Sequence, residues 1–219
     1  MALQAVLFDI DGLMIDSERV SRRSWREVMS QAGYTLDDDV YLRMIGRTEK
    51  DVRGILHEAY GADFPFDRMY SDREERFIAF MTDEGIPVKP GLPDVLDWVQ
   101  SHHIPYAVAS STYCKLAEAK LVSAGIRAYF DVMVTGDEVV NGKPAPDLFL
   151  KAAEKLGIEP GNCLVLEDSQ AGIQAAHAAG MHSILVPDLQ TVDPVVASYT
   201  VAVVNSLDEA LPHMEKLLD

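Results

Sequence analysis

Two aspartates, two residues apart, close the first apolar run of the chain: Ala5-Val6-Leu7-Phe8-Asp9-Ile10-Asp11-Gly12. Residues i and i+2 of an extended segment project to the same side, so Asp9 and Asp11 present two carboxylates together. Such a pair repels itself unless a cation or a shared proton relieves it, which is the setting of a metal-assisted catalytic site. An Asx turn completed by Gly12 accounts for the same residues without any chemistry. The pair therefore has to be weighed with what lies downstream.

Six short apolar runs have strand character: Ala5–Phe8, Pro105–Ala109, Val132–Thr135, Cys163–Leu166, Ser183–Val186 and Val201–Val204. Most are continuous and not alternating, the pattern of strands covered on both faces. Helical patterns lie between them, and those over Lys115–Ala124, Asp147–Leu156 and Gln170–Ala179 each run into a glycine, a left-handed C-cap signal. Ser206-Leu207-Asp208-Glu209 has the form of a capping box for a last helix. Strand alternating with helix predicts an α/β protein with a doubly wound, mainly parallel sheet. Between about Asp16 and Gly85 the alternation stops. Ser17 can cap a helix with Trp25, Val28, Met29 and Ala32 on one face, and further helices are expected near Asp38–Ile45, Glu49–Tyr60 and Asp67–Asp83. The expected organisation is an α/β core of residues 1–15 and 87–219 with a helical module, residues 16–86, inserted after the first strand.

The bulk numbers narrow the field. The chain has 219 residues and a formal net charge of -16, which argues against a broad surface for nucleic acid or anionic membrane. A small anionic substrate remains compatible, because a metal and a few basic groups reverse the field locally. Cys114 and Cys163 stand at no metal-like spacing and are expected as two free, buried thiols. No signal-peptide pattern and no run of the ~18 apolar residues that a membrane helix needs is evident. The expectation is a cytoplasmic protein, a monomer or weak dimer.

In an open parallel sheet, ligands bind beyond the carboxyl ends of the strands. The first run delivers Asp9 and Asp11 there, and the second delivers Ser110-Ser111-Thr112. The third leads into Thr135-Gly136-Asp137 and then Lys143, and the fourth delivers Glu167-Asp168-Ser169. Each piece alone has an ordinary structural explanation: a helix cap for the hydroxyls, a solvated loop lysine, an acidic helix N-terminus. Together, at one sheet edge, they form a candidate catalytic constellation.

At this point the chain resembles the haloacid dehalogenase superfamily. The matching segments are Asp9-Ile10-Asp11-Gly12, Ser110 after an apolar strand, Lys143 in Gly-Lys-Pro-Ala-Pro-Asp, and Glu167-Asp168-Ser169-Gln170-Ala171-Gly172. The inserted module is similar to that superfamily's small helical cap, and the branch it most resembles holds sugar-phosphate phosphatases and β-phosphoglucomutases. The resemblance implies a Mg2+-dependent reaction on a small phosphorylated metabolite. Asp9 is then the nucleophile that forms an aspartyl-phosphate and binds the metal. Asp11 is the general acid and base and lends its backbone carbonyl to the metal. Asp168 is a further ligand, with Glu167 either a ligand itself or next to the ligands; Ser110 and the Ser111 amide hold phosphoryl oxygens, and Lys143 balances charge.

Substrate choice is expected from Gly46-Arg47-Thr48-Glu49-Lys50-Asp51, a segment that also reads as a helix start capped by Thr48. By the resemblance, β-phosphoglucomutases carry a histidine in the first cap helix and an arginine in this loop. Ser21 and Glu49 stand at those positions here, with Arg47 or Lys50 able to stand in for the arginine. Closure of the module over the nucleophile is expected to keep water out until substrate binds. A hydrolase of a sugar or polyol phosphate is therefore preferred over a mutase. By the resemblance, the second acid at Asp11 belongs to the phosphotransferases and disfavours a dehalogenase, and a non-catalytic protein on the same scaffold is the reading from another class.

Overall fold

All six apolar runs become strands of one sheet, and every neighbouring pair in it is parallel. The computed structural model describes residues 2–47 and 49–218. The strands are β1 (Ala5–Phe8), β2 (Tyr106–Ala109), β3 (Met133–Val134), β4 (Cys163–Glu167), β5 (His182–Leu185) and β6 (Ala202–Val203). Their order is β3-β2-β1-β4-β5-β6, so the chain reverses its direction of travel across the sheet between β3 and β4. That order is doubly wound, and its switch point lies beside β1. β3 and β6, at the two margins, are only two residues long, shorter than the apolar runs around them; each pairs on one side alone.

The helices are α1 (Ser17–Gln31), α2 (Asp38–Met44), α3 (Glu49–Tyr60), α4 (Phe66–Asp83), α5 (Leu92–Ser101), α6 (Cys114–Ser123), α7 (Asp147–Leu156), α8 (Gln170–Ala178), α9 (Pro194–Ala197) and α10 (Leu211–Glu215). The chain divides into two compact units. One runs to Asp16 and resumes at Pro87; the other is Ser17–Ile86.

β1 and β4 are buried along their whole length. Alternate residues of these strands, Ala5 and Leu7 with Cys163 and Val165, join Ala107 and Ala109 of β2 against Leu148, Phe149 and Ala152 of α7 and Ala175 and Ala176 of α8. Burying a large side chain such as Leu7 or Phe149 stabilises the fold by roughly 1.5–3 kcal/mol. The small alanines on the sheet let α7 and α8 approach closely. The three helices read from their terminal glycines end there, at Gly125, Gly157 and Gly180, all with left-handed backbone.

The helical unit has its own core. Trp25, Val28 and Met29 of α1 are buried, as are Phe66, Met69, Phe77 and Phe80 of α4. Ala32, expected on the same face as Trp25, lies beyond the end of α1 and is exposed.

Two further expectations are corrected. Ser206 opens no helix; a 3-10 turn at Asp208–Ala210 intervenes, and Glu209 instead accepts from the Asn205 N–H at 2.8 Å. Of the two thiols, only Cys163 is buried. Cys114 is exposed: it is the first residue of α6, one turn ahead of the inward-packed Ala117, Lys120 and Leu121. Burial pushes the Cys163 thiol up to about 11. Since the thiolate is the reacting species, a disulfide-exchange reagent at neutral pH is expected to label one cysteine, Cys114, in the folded protein. The second should react only on unfolding, and two fast equivalents would contradict the packing of β4.

Candidate active site

Asp9 continues β1 by one residue, its N–H donating to the Leu166 carbonyl at 3.2 Å. That bond sets it beside Glu167, the last residue of β4, at the switch point of the sheet. Lys143 enters from the loop between β3 and α7. Its Nζ donates to Asp9 Oδ1 at 2.5 Å, to Glu167 Oε1 at 2.6 Å and to the Ala109 carbonyl at 3.1 Å. With its side chain 6% exposed, this lysine is not a solvated loop residue: all three of its donor directions are used. Burial alone would lower it, but Asp9 and Glu167 hold its ammonium protonated well above the ordinary lysine range.

The Glu167-Asp168-Ser169 segment and the start of α8 act as one piece. The Ser169 N–H and hydroxyl both donate to Glu167 Oε2, at 2.8 and 2.9 Å. The same hydroxyl accepts from the Gly172 N–H at 3.1 Å, so Ser169 is the N-cap of α8. A Cβ at position 172 would collide with the Glu167 carboxylate, which is why glycine stands there. Gly12, with φ of 85°, plays the matching part on the other side: a Cβ there would run into the Asp168 carboxylate.

Ser110 closes β2. It is buried, and its Oγ accepts from the Thr112 N–H at 3.1 Å, which leaves its own proton to donate. Ser111 is exposed. Asp11, partly exposed, is held by Lys120, which the sequence reading did not place in the site, and by Thr112, which it placed at the sheet edge without a partner. Lys120 donates to its Oδ1 at 2.6 Å and the Thr112 hydroxyl to its Oδ2 at 2.7 Å. The hydroxyls after β2 therefore do not cap α6. That task falls to Asp137, whose Oδ1 accepts from the Cys114 N–H at 2.9 Å, and Asp137 is turned away from catalytic duty.

Among the described residues, Asp9, Glu167 and Asp168 form one group of potential metal donors, with ligand oxygens all within 4.8 Å of one another. The donors are all hard oxygen atoms, the set that suits an ion of the magnesium or calcium kind. The electrostatics agree. Burial, followed by the neighbouring Glu167 and Asp11, pushes Asp9 up to about 7 against the lowering pull of Lys143. Burial, then Glu167 and Asp9, pushes Asp168 well above its ordinary value. One lysine does not neutralise three acids, and a cation held among them would relieve the remainder.

The residues expected on the helical unit sit within that unit. Ser21 is buried and accepts from Arg73 Nη2 at 2.6 Å. Arg47, Glu49 and Lys50 are exposed, and Glu49 pairs with Arg53 at 3.0 Å. Thr48, read as a cap, lies outside the described residues. Arg73, which also faces the rings of Trp25 and Phe77, was not singled out, since its spacing within α4 looks like that of any surface arginine.

A doubly wound sheet whose switch point gathers a lysine and three or four carboxylates defines an α/β enzyme that works with acids and not with a serine–histidine pair. The chain belongs to the haloacid dehalogenase-like hydrolase family, whose model matches residues 6–186. It is 36% identical over 181 residues to the fructose-1-phosphate phosphatase YqaB of Escherichia coli, covering 82% of this chain and 94% of that one. It is 33% identical over 186 residues to a phosphorylated carbohydrates phosphatase of Thermotoga maritima, covering 83% and 84%. A crystal structure of a HAD family hydrolase from Deinococcus radiodurans, with bound phosphate and sodium, superposes with a TM-score of 0.85 at 29% identity, covering 99% of this chain and 97% of that one.

The raised Asp9 carboxyl has a consequence for stability. Its folded pKa exceeds the unfolded one, so the folded state binds the extra proton and this contribution is lost as pH rises through about 7. Melting of the metal-free protein is expected to fall between about pH 5 and about pH 8, and a divalent cation should recover more of it at the higher pH. Equal stabilisation by the cation at both pH values would contradict the coupled acid cluster.

Proposed function

We propose that the chain is a Mg2+-dependent phosphomonoesterase acting on a small phosphorylated sugar or polyol through an aspartyl-phosphate on Asp9. The observation that carries this reading is Lys143 bridging Asp9 and Glu167 at the edge where Asp11, Ser110 and Asp168 also arrive. The family membership and the two phosphatase relatives support it.

Asp9 attacks phosphorus with the oxygen that Lys143 does not hold. Asp11 gives a proton to the departing alkoxide and afterwards takes one from the water that hydrolyses the aspartyl-phosphate. Ser110, with the Ser111 amide, donates to phosphoryl oxygens, and Lys143 offsets the charge gathered there. Asp9, Asp168 and the Asp11 carbonyl would hold the metal, which supplies charge neutralisation for an anionic substrate meeting an anionic nucleophile. Glu167, both of whose oxygens are engaged, fixes Lys143 and bounds the site. On the helical unit we assign substrate selection to Arg47, Glu49, Lys50 and Ser21. The position read as the mutase histidine is Ser21, already engaged by Arg73, so no imidazole stands at that position for a mutase step.

With Mg2+ present, the wild-type protein is expected to release phosphate from p-nitrophenyl phosphate and from a panel that includes fructose 1-phosphate. Asp9→Asn should lose on the order of 10^4-fold or more in kcat, and Asp11→Asn about 10^2- to 10^4-fold. Chelation should abolish turnover. Activity of Asp9→Asn equal to wild type would overturn the assignment, and conversion of β-glucose 1-phosphate to glucose 6-phosphate without phosphate release would make it a mutase. Arg47→Ala and Lys50→Ala should change KM for sugar phosphates and leave p-nitrophenyl phosphate nearly untouched.

A further inference from the structure

Lys120 sits where the packing asks for an apolar side chain. It lies on the inward face of α6 between Ala117 and Leu121, both fully buried, and its own side chain is only 10% exposed. A buried ammonium that serves packing alone is readily bettered by a hydrophobic residue of similar volume. This one instead reaches Asp11 Oδ1 at 2.6 Å and comes within 3.5 Å of the Thr112 hydroxyl, which itself donates to Asp11 Oδ2 at 2.7 Å. Three side chains from three segments thus close a triangle around the Asp11 carboxylate.

We propose that Lys120 is the positioning residue of the reaction, holding Asp11 at the one orientation from which it serves the leaving group and the water, with Thr112 as the second tether. The inference rests on the reading of Asp11 as acid and base. Each carboxylate oxygen has two acceptor sites, so a bond to Lys120 or Thr112 does not by itself block proton exchange. The proton of the acid therefore goes to the leaving oxygen as the P–O bond breaks, and a proton of water returns to Asp11 as the aspartyl-phosphate is hydrolysed. The Thr112 hydroxyl can donate to the ionised carboxylate and accept from the protonated one, so it follows Asp11 through both states. Lys120 only donates, and it fixes the position.

The test uses the full chain with Mg2+ and compares Lys120→Met, Lys120→Arg, Thr112→Val and Asp11→Asn. A sugar phosphate leaves as an alkoxide and needs the acid; p-nitrophenolate leaves almost unaided. Lys120→Met is therefore expected to lose about 10^2-fold in kcat on the sugar phosphate with KM kept. On p-nitrophenyl phosphate it should show a burst of p-nitrophenolate, because phosphorylation of Asp9 continues while hydrolysis of the intermediate lags. Lys120→Arg should restore most of the loss. Equal slowing of both substrates without a burst, or wild-type kcat on both, would make Lys120 a packing residue and overturn the proposal. Should Lys120→Met not fold, Thr112→Val, whose backbone contacts are untouched, carries the same expectation, and its wild-type behaviour would overturn the proposal equally. Loss of activity in Asp11→Asn with an unaffected Lys120→Met would sink the positioning role alone. Full activity in Asp11→Asn would sink the acid–base reading and the positioning role together.

Discussion

Like charges gathered in one small space are the constraint around which this molecule is arranged. A parallel sheet ends its strands on a common edge, and here that edge receives Asp9, Asp11, Glu167 and Asp168 from only two strands. Left alone, acids so close would take up protons or push the strands apart. Two buried lysines divide the load. Lys143 lies across Asp9 and Glu167 and so bonds the ends of β1 and β4 to one another. Lys120 serves Asp11. Asp168, raised by burial and then by Glu167 and Asp9, keeps no lysine of its own among these contacts and belongs to the group of oxygens that could hold a metal.

What the lysines hold electrostatically, the absence of side chains holds sterically. Gly12 and Gly172 lie against the carboxylates of Asp168 and Glu167, and neither position has room for a methyl group. Ser169 spans them by capping α8 with the oxygen whose proton it gives to Glu167. Six consecutive residues thus end a strand, orient two acids and start a helix. Hydrogen bonds and close clearances within those six residues, joined by Gly12 and Lys143, hold these acids in place.

That economy explains what could be read from the chain beforehand. The strands were legible because continuous apolar runs have no other stable home than a sheet covered on both faces. Asp9, Asp11, Ser110, Lys143, Glu167 and Asp168 were legible because each directly follows such a run or opens a turn after it. Lys120 was not, and Thr112 was placed at the edge without its partner, since their bonds to Asp11 cross 109 and 101 residues of sequence. The helical pattern shows a lysine at an inward position of α6, but not the acid that meets it. The cap of α6 was hidden for the same reason: Asp137, 23 residues from Cys114, supplies it. Cys114 was misplaced because a helix's first residue follows the packing of its neighbours and not its own apolarity.

The chain leaves and re-enters the α/β unit through a small ribbon. The Asp16 N–H donates to the Pro87 carbonyl at 2.8 Å, the Lys89 N–H to the Met14 carbonyl at 2.9 Å, and Ile15 bridges to Val88. Departure and return are therefore held at hydrogen-bonding distance by the sheet unit itself. Since the entropy of closing a loop grows only slowly with its length, the sheet unit meets everything between Ser17 and Ile86 as little more than a hairpin tip. Such a junction is a natural splice point, at which one set of helices can be exchanged for another while the acids, lysines and glycines beneath keep their places.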